Sequence, residues 1–151
     1  MQELATHPNI VGIKESSGDV AVVGDLVGRA PKDFPVVVGA APSLYASLMV
    51  GATGGIVAIA NVVPELVVRL YDLARAGKHD EALALQRALA PLAAAVTTGY
   101  GVPGLKAAMA LAGYRPGLPR RPLAPLEDED RRKVRALFES LSTRAEALTV
   151  S

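Results

Sequence analysis

The sequence predicts an α/β fold: the last three strand–helix units of an incomplete (β/α)8 TIM barrel, followed by a carboxy-terminal helical extension. Three observations predict it. Within residues 8–77, short segments rich in valine and isoleucine alternate three times with segments of helical periodicity, which calls for right-handed crossovers and a parallel sheet. The apolar segments do not alternate apolar with polar residues, so each is expected to be buried on both faces. Three strands leave both faces and both edges of a sheet to be covered, and a third strand as small as Gly-Gly-Ile-Val-Ala-Ile-Ala suits the wall of a closed barrel.

The first strand is expected at 10–14, behind Pro8 and ahead of the polar turn Glu-Ser-Ser-Gly-Asp. Ser17, Gly18 and Asp19 offer that turn and a helix N-cap. Val20, Val23, Leu26 and Val27 then recur at helical spacing until Pro31. A second strand is expected at 34–39, after which Pro42 opens a helix through Leu44, Ala46, Leu48 and Met49 that ends at Gly51. The third strand is expected at 54–60. Asn61 and Pro64 start a helix whose Leu66, Val67, Leu70, Leu73 and Ala74 form one stripe ending at Gly77.

No further strand follows. Residues 78–141 read as a helical extension: a long helix with Leu85, Leu89, Leu92 and Val96 on one face, closing at 99–101, then a shorter one over 103–112. The proline-rich segment 115–125 cannot be regular, and four acids at 127–130 suit the start of a last helix with Val134, Leu137, Phe138 and Leu141 inside. Residues 142–151 are expected to fray.

Composition bounds the function. In 151 residues, half of them apolar, one domain's core can form, and 16 basic against 15 acidic residues make no electrostatic case for nucleic acid or an anionic membrane. The absence of cysteine removes disulfides and thiolate metal sites, and His7 and His79 have no second ligand at helical or hairpin spacing, so no metal or cofactor is expected. With no basic leader ahead of an apolar core and no span of roughly twenty apolar residues, the chain reads as soluble and cytoplasmic. A nucleotide-binding domain is disfavoured, because no Gly-x-Gly-x-x-Gly follows a strand. The run 51–55 precedes its strand and lacks the lysine and hydroxyl of a phosphate loop, so it reads as a tight turn.

Lys14 stands out. It ends a strand expected to be buried, at the edge of a parallel sheet where ligands bind; an amine desolvated there reaches its neutral, nucleophilic form more easily. The alternative is a lysine that caps the strand and snorkels to solvent.

Val-Gly-Ile-Lys-Glu-Ser-Ser-Gly-Asp, then Val-Val-Val-Gly39, then Gly51-Ala-Thr-Gly-Gly-Ile-Val-Ala-Ile-Ala-Asn61, resemble the carboxy-terminal half of the dihydrodipicolinate synthase and N-acetylneuraminate lyase family, over residues 8–141. The resemblance implies a Schiff-base aldolase or synthase on a (β/α)8 barrel, with the lysine on the sixth strand. It implies that Lys14 forms an imine with pyruvate or another 2-oxo acid, that Ser16 lies near the substrate, that Gly39 at the end of the seventh strand lets a ligand approach, and that the Ile56 main chain faces the lysine. For Ser16 the alternative is a turn hydroxyl, and for Ile56 a core side chain. Residues 94–109 and the Gly-Tyr before the connector are most similar to 4-hydroxy-2-oxoglutarate aldolases. The family's first five strands, with its carboxylate-holding hydroxyls and its relay tyrosine, have no counterpart here, and Tyr45, Tyr71, Tyr100 and Tyr114 all follow Lys14. The expectation is therefore activity on a small-molecule 2-oxo acid in a barrel completed by a homo-oligomeric copy or by a partner chain. The alternatives are a 4-hydroxy-tetrahydrodipicolinate synthase, or a non-catalytic half-barrel that self-associates.

Overall fold

The computed structural model describes residues 2–148. A short helix not expected from the sequence, α1 (Gln2–Ala5), is followed by Thr6, whose hydroxyl donates to the Glu3 carbonyl at 2.8 Å. Three parallel strands follow, β1 (Ile13–Glu15), β2 (Val36–Val38) and β3 (Gly54–Gly55), in the spatial order β1-β2-β3. Ile13, Lys14 and Glu15 pair with Val36, Val37 and Val38, and Val37 and Val38 with Gly54 and Gly55. The α/β class and the parallel sheet are as the sequence predicts.

The strands are shorter than expected, and burial on both faces holds only in the middle of the sheet. Val36 and Val38 are buried and Val37 half-buried, whereas Val11 is 78% and Ile56 63% exposed. The reason is position: β1 and β3 are edges with a neighbour on one side only, so half their ladder groups and one flank of side chains lie uncovered. Past Gly55 the chain turns out of the sheet into a 3-10 turn (Ala58–Asn61), which carries Val57 and Ile59 into the core instead of extending a strand to residue 60.

Helices α2 (Val20–Arg29), α3 (Leu44–Met49) and α4 (Pro64–Arg75) follow the three strands. Asp19 caps α2, its carboxylate accepting from the backbone N–H groups of Ala21 and Val22 at 2.8 and 3.4 Å, and Val23 is buried beneath. A 3-10 turn (Ala41–Ser43) with Pro42 near its start leads into α3. There Met49, expected inside, is exposed, while Ser47 is buried. Gly51 ends the unit with φ +105°, a conformation that a side chain would strain, and an added Cβ would lie 2.8 Å from Val27 Cγ1. In α4, Leu70 and Ala74 are buried as the stripe predicts.

Helix α5 (His79–Ala94) is the centre of the core. Leu85, Leu89 and Leu92 are at most 2% exposed, and Val96 on the following π-helical turn (Ala95–Gly99) 1%. The wider turn is closed by the Tyr100 N–H donating to the Ala95 carbonyl at 2.7 Å, with Thr97 donating to the Ala93 carbonyl at 2.7 Å. Helix α7 (Asp128–Ala147) packs on α5, and α6 (Gly101–Leu111) packs on the π-helical turn and on α7, to which the irregular proline-rich connector joins it. Val134 and Leu141 form the inner face of α7, with Leu137 and Phe138 partly buried against the core. The expected fraying after Ser142 does not begin there: the helix runs on to Ala147 because Ala145 is buried and the Arg69 guanidinium donates to the Leu148 carbonyl at 2.7 Å. Residues 149–151 of that expected tail lie outside the described residues.

Candidate active site

Parallel strands bring their carboxyl ends to one edge of the sheet, so the residues leaving β1, β2 and β3 come together whatever their separation in sequence. Lys14 and Ser16 are two apart on β1 and its extension and so share a face, while Glu15 points away. Across the β1–β2 pairing, the Gly39 N–H donates to the Glu15 carbonyl at 2.7 Å, locking the exit of β2 against the exit of β1. A Cβ at Gly39 would collide with Ser16 Oγ and lie 2.8 Å from Lys14 Cε. Three of the four residues singled out in the sequence therefore meet in one place, and the missing side chain of Gly39 makes the space they share.

Ile56 is placed differently. Its N–H donates to the Val38 carbonyl at 2.8 Å, which sets it beside the end of β2 at the same edge of the sheet, one strand away from Lys14. Its side chain is exposed at the open edge of β3.

Lys14 itself is exposed, against the expectation of a desolvated amine. The physical reason is the open flank of β1: no strand pairs with its other side, so the apolar walls that would exclude water from the amine are not among these residues.

The loops that follow the strands are held by contacts the sequence reading did not single out. Glu15 accepts from the Ser17 N–H at 2.6 Å, and hydrogen bonds from the Ser17 hydroxyl and then its backbone hold the carboxyl below its ordinary range. Gly18, with φ +83°, brings this turn against the loop after β2, where an added Cβ would lie 3.3 Å from Ala40 Cβ. From behind, the buried Gln86 of α5 donates to the Ala41 carbonyl at 3.1 Å and accepts from the Tyr45 N–H at 2.8 Å. It thereby satisfies a backbone N–H that the first turn of α3 leaves unpaired. The readable signal for Gln86 was a polar residue inside an otherwise apolar helical stripe.

Among the described residues no group of three His, Cys, Asp or Glu side chains is placed to hold a metal ion, and no helix is long and apolar enough to cross a membrane.

Residues 1–141 match the Dihydrodipicolinate synthetase family. The chain is 38% identical over 142 residues to the 4-hydroxy-tetrahydrodipicolinate synthase of Methanosphaerula palustris, covering 93% of this chain and 48% of that protein. It is 38% identical over 133 residues to an uncharacterized DapA-like lyase of Halobacterium salinarum, covering 88% and 43%. In three dimensions it is similar to the 4-hydroxy-tetrahydrodipicolinate synthase of Methylacidiphilum fumariolicum SolV, with a TM-score of 0.86 at 31% identity, over 93% of this chain and 47% of that one. The chain thus spans about half the length of the curated relatives it matches.

Proposed function

The chain belongs to the dihydrodipicolinate synthetase family, and from that premise we propose that it supplies the imine-forming half of a Schiff-base carbon–carbon lyase acting on pyruvate or a related 2-oxo acid in a completed (β/α)8 barrel. The observation that carries this reading is the meeting of Lys14, Ser16 and Gly39 at the carboxyl ends of adjacent parallel strands, with a Gly39 Cβ position only 2.8 Å from Lys14 Cε.

In this reading the Lys14 amine adds to the keto carbon of the 2-oxo acid and water leaves, giving an imine. Protonated, the imine withdraws electrons from the adjacent carbon, so that cleavage of the next C–C bond leaves an enamine instead of a bare carbanion. The enamine takes a proton at carbon, and hydrolysis returns pyruvate and the free amine. Ser16 offers a hydroxyl beside the imine. The space above Gly39 admits the substrate, and the Ile56 main chain forms the far rim. The rest of the barrel supplies the remaining wall and the acid/base groups that imine formation requires.

Residues 94–109 favour 4-hydroxy-2-oxoglutarate as the substrate, which such cleavage would split into pyruvate and a two-carbon oxo acid. The names of the curated relatives favour the second reading, a synthase that runs carbon–carbon bond formation from the same enamine. Supplying 4-hydroxy-2-oxoglutarate to the chain combined with the amino-terminal half of the Methanosphaerula palustris relative separates them. Pyruvate release that disappears with Lys14→Ala supports cleavage. Absence of release from a combination that still forms the pyruvate imine overturns it in favour of the synthase.

A further inference from the structure

We propose that the cleft between α6, the proline-rich connector and α7 binds a compact polyanion, one carrying phosphate or several carboxylate groups. The cleft has a volume of about 550 Å3, within the range of small-molecule sites. Four cationic side chains line it, Lys106 from α6, Arg115 from the connector, and Arg131 and Arg135 one turn apart on α7, and no carboxylate does. Leu111 and Tyr114 are among the residues of its apolar wall.

The imbalance is local, because the whole chain carries a formal net charge of only +1. Two of the four acids at the start of α7 are engaged elsewhere: Glu129 and Asp130 pair with Lys133 at 2.9 and 3.0 Å, and Asp130 accepts from the Tyr100 hydroxyl at 3.2 Å; neither Glu127 nor Asp128 lines the cleft. Lys106 and Arg131 are fixed at the cleft by donating to the carbonyls of Pro116 and Leu126, at 2.5 and 3.2 Å, which orients them without neutralising them. Like charges one helical turn apart repel, and cations gathered against a low-dielectric wall raise the local potential. An anion relieves both, and two guanidinium groups suit the paired oxygens of phosphate or carboxylate. This cleft is built from the helical extension, separate from Lys14, Ser16 and Gly39.

The test is calorimetric titration of the full chain at low ionic strength with inorganic pyrophosphate and, separately, with citrate. One saturable site per chain for either ion is expected, the tighter ion naming the preferred group. The side chains of Arg115 and Arg135 make no hydrogen bond or ion pair among the described residues, so the Arg115→Gln/Arg135→Gln variant should fold as the parent does and bind at least tenfold more weakly. The Arg120→Gln/Arg121→Gln variant removes the same charge from the connector outside the cleft and should bind as the parent does. No saturable heat with either ion, or equal weakening in both variants, would overturn the proposal.

Discussion

At Gly39 a single methyl group separates the fold from the chemistry. An added Cβ would displace the ends of the Ser16 and Lys14 side chains and also press on Ser16 Cβ at 3.0 Å, which only a shift of the strand end relieves, so Gly39→Ala should cost about 1–3 kcal/mol. Imine formation with pyruvate in the completed barrel should also fall at least about tenfold, a loss equivalent to misplacing the reacting groups by a fraction of an ångström. Parallel denaturation and trapping-rate measurements check both halves of that expectation. Glu15 gives a pH prediction. Its carboxyl is held below the ordinary value of 4.5 by the hydrogen bonds from Ser17, so the stability it contributes is fully present above that value and is lost as pH falls through its lowered pKa in the folded state. Denaturant midpoints of the parent and Glu15→Gln should differ at pH 6 and draw together as pH falls below 4.5. Lys14 was legible as the lysine that ends an apolar run, and Ser16 and Gly39 through the family resemblance; strand alternation and the β1–β2 pairing explain why the three meet. Glu15 was not, because its role is a contact to the backbone of Ser17, which residue types alone do not specify.

Among the elements, α5 bears most of the packing. Leu89→Ala, at a position 2% exposed in the middle of the core, should cost about 2–5 kcal/mol, read from the shift in chemical denaturation. Gln86→Leu tests a different link. It leaves the Ala41 carbonyl and the Tyr45 N–H without their partner, and should cost about 1–3 kcal/mol while loosening the loop after β2. Slower imine formation in the completed barrel would accompany that loosening. The helices were legible from their 3.6-residue stripes: Leu85, Leu89, Leu92 and Val96 lie where periodicity puts them. The strands were less so. The apolar run after Gly55 has the composition of a strand, yet without a neighbour beyond β3 it turns over and sends Val57 and Ile59 inward, a choice made by tertiary context rather than by the run itself.

For the whole molecule, the open edges of the sheet set the behaviour. Val11 and Ile56 stand exposed beside unpaired strand flanks, a surface suited to another strand. Sedimentation of the isolated chain should show concentration-dependent association, reduced in a Val11→Lys/Ile56→Lys variant in which charge opposes edge pairing. The same open flank explains why Lys14 is exposed, and why the central claim is best tested once the barrel is whole. The most direct measurement is peptide mapping by mass after the chain, combined with the amino-terminal half of a relative, is treated with pyruvate and borohydride. Reduction converts an imine to a stable secondary amine, so the account predicts one pyruvate-derived adduct on the peptide containing Lys14, absent in Lys14→Ala. No adduct in a properly assembled barrel, or an adduct on another lysine that survives Lys14→Ala, would contradict it.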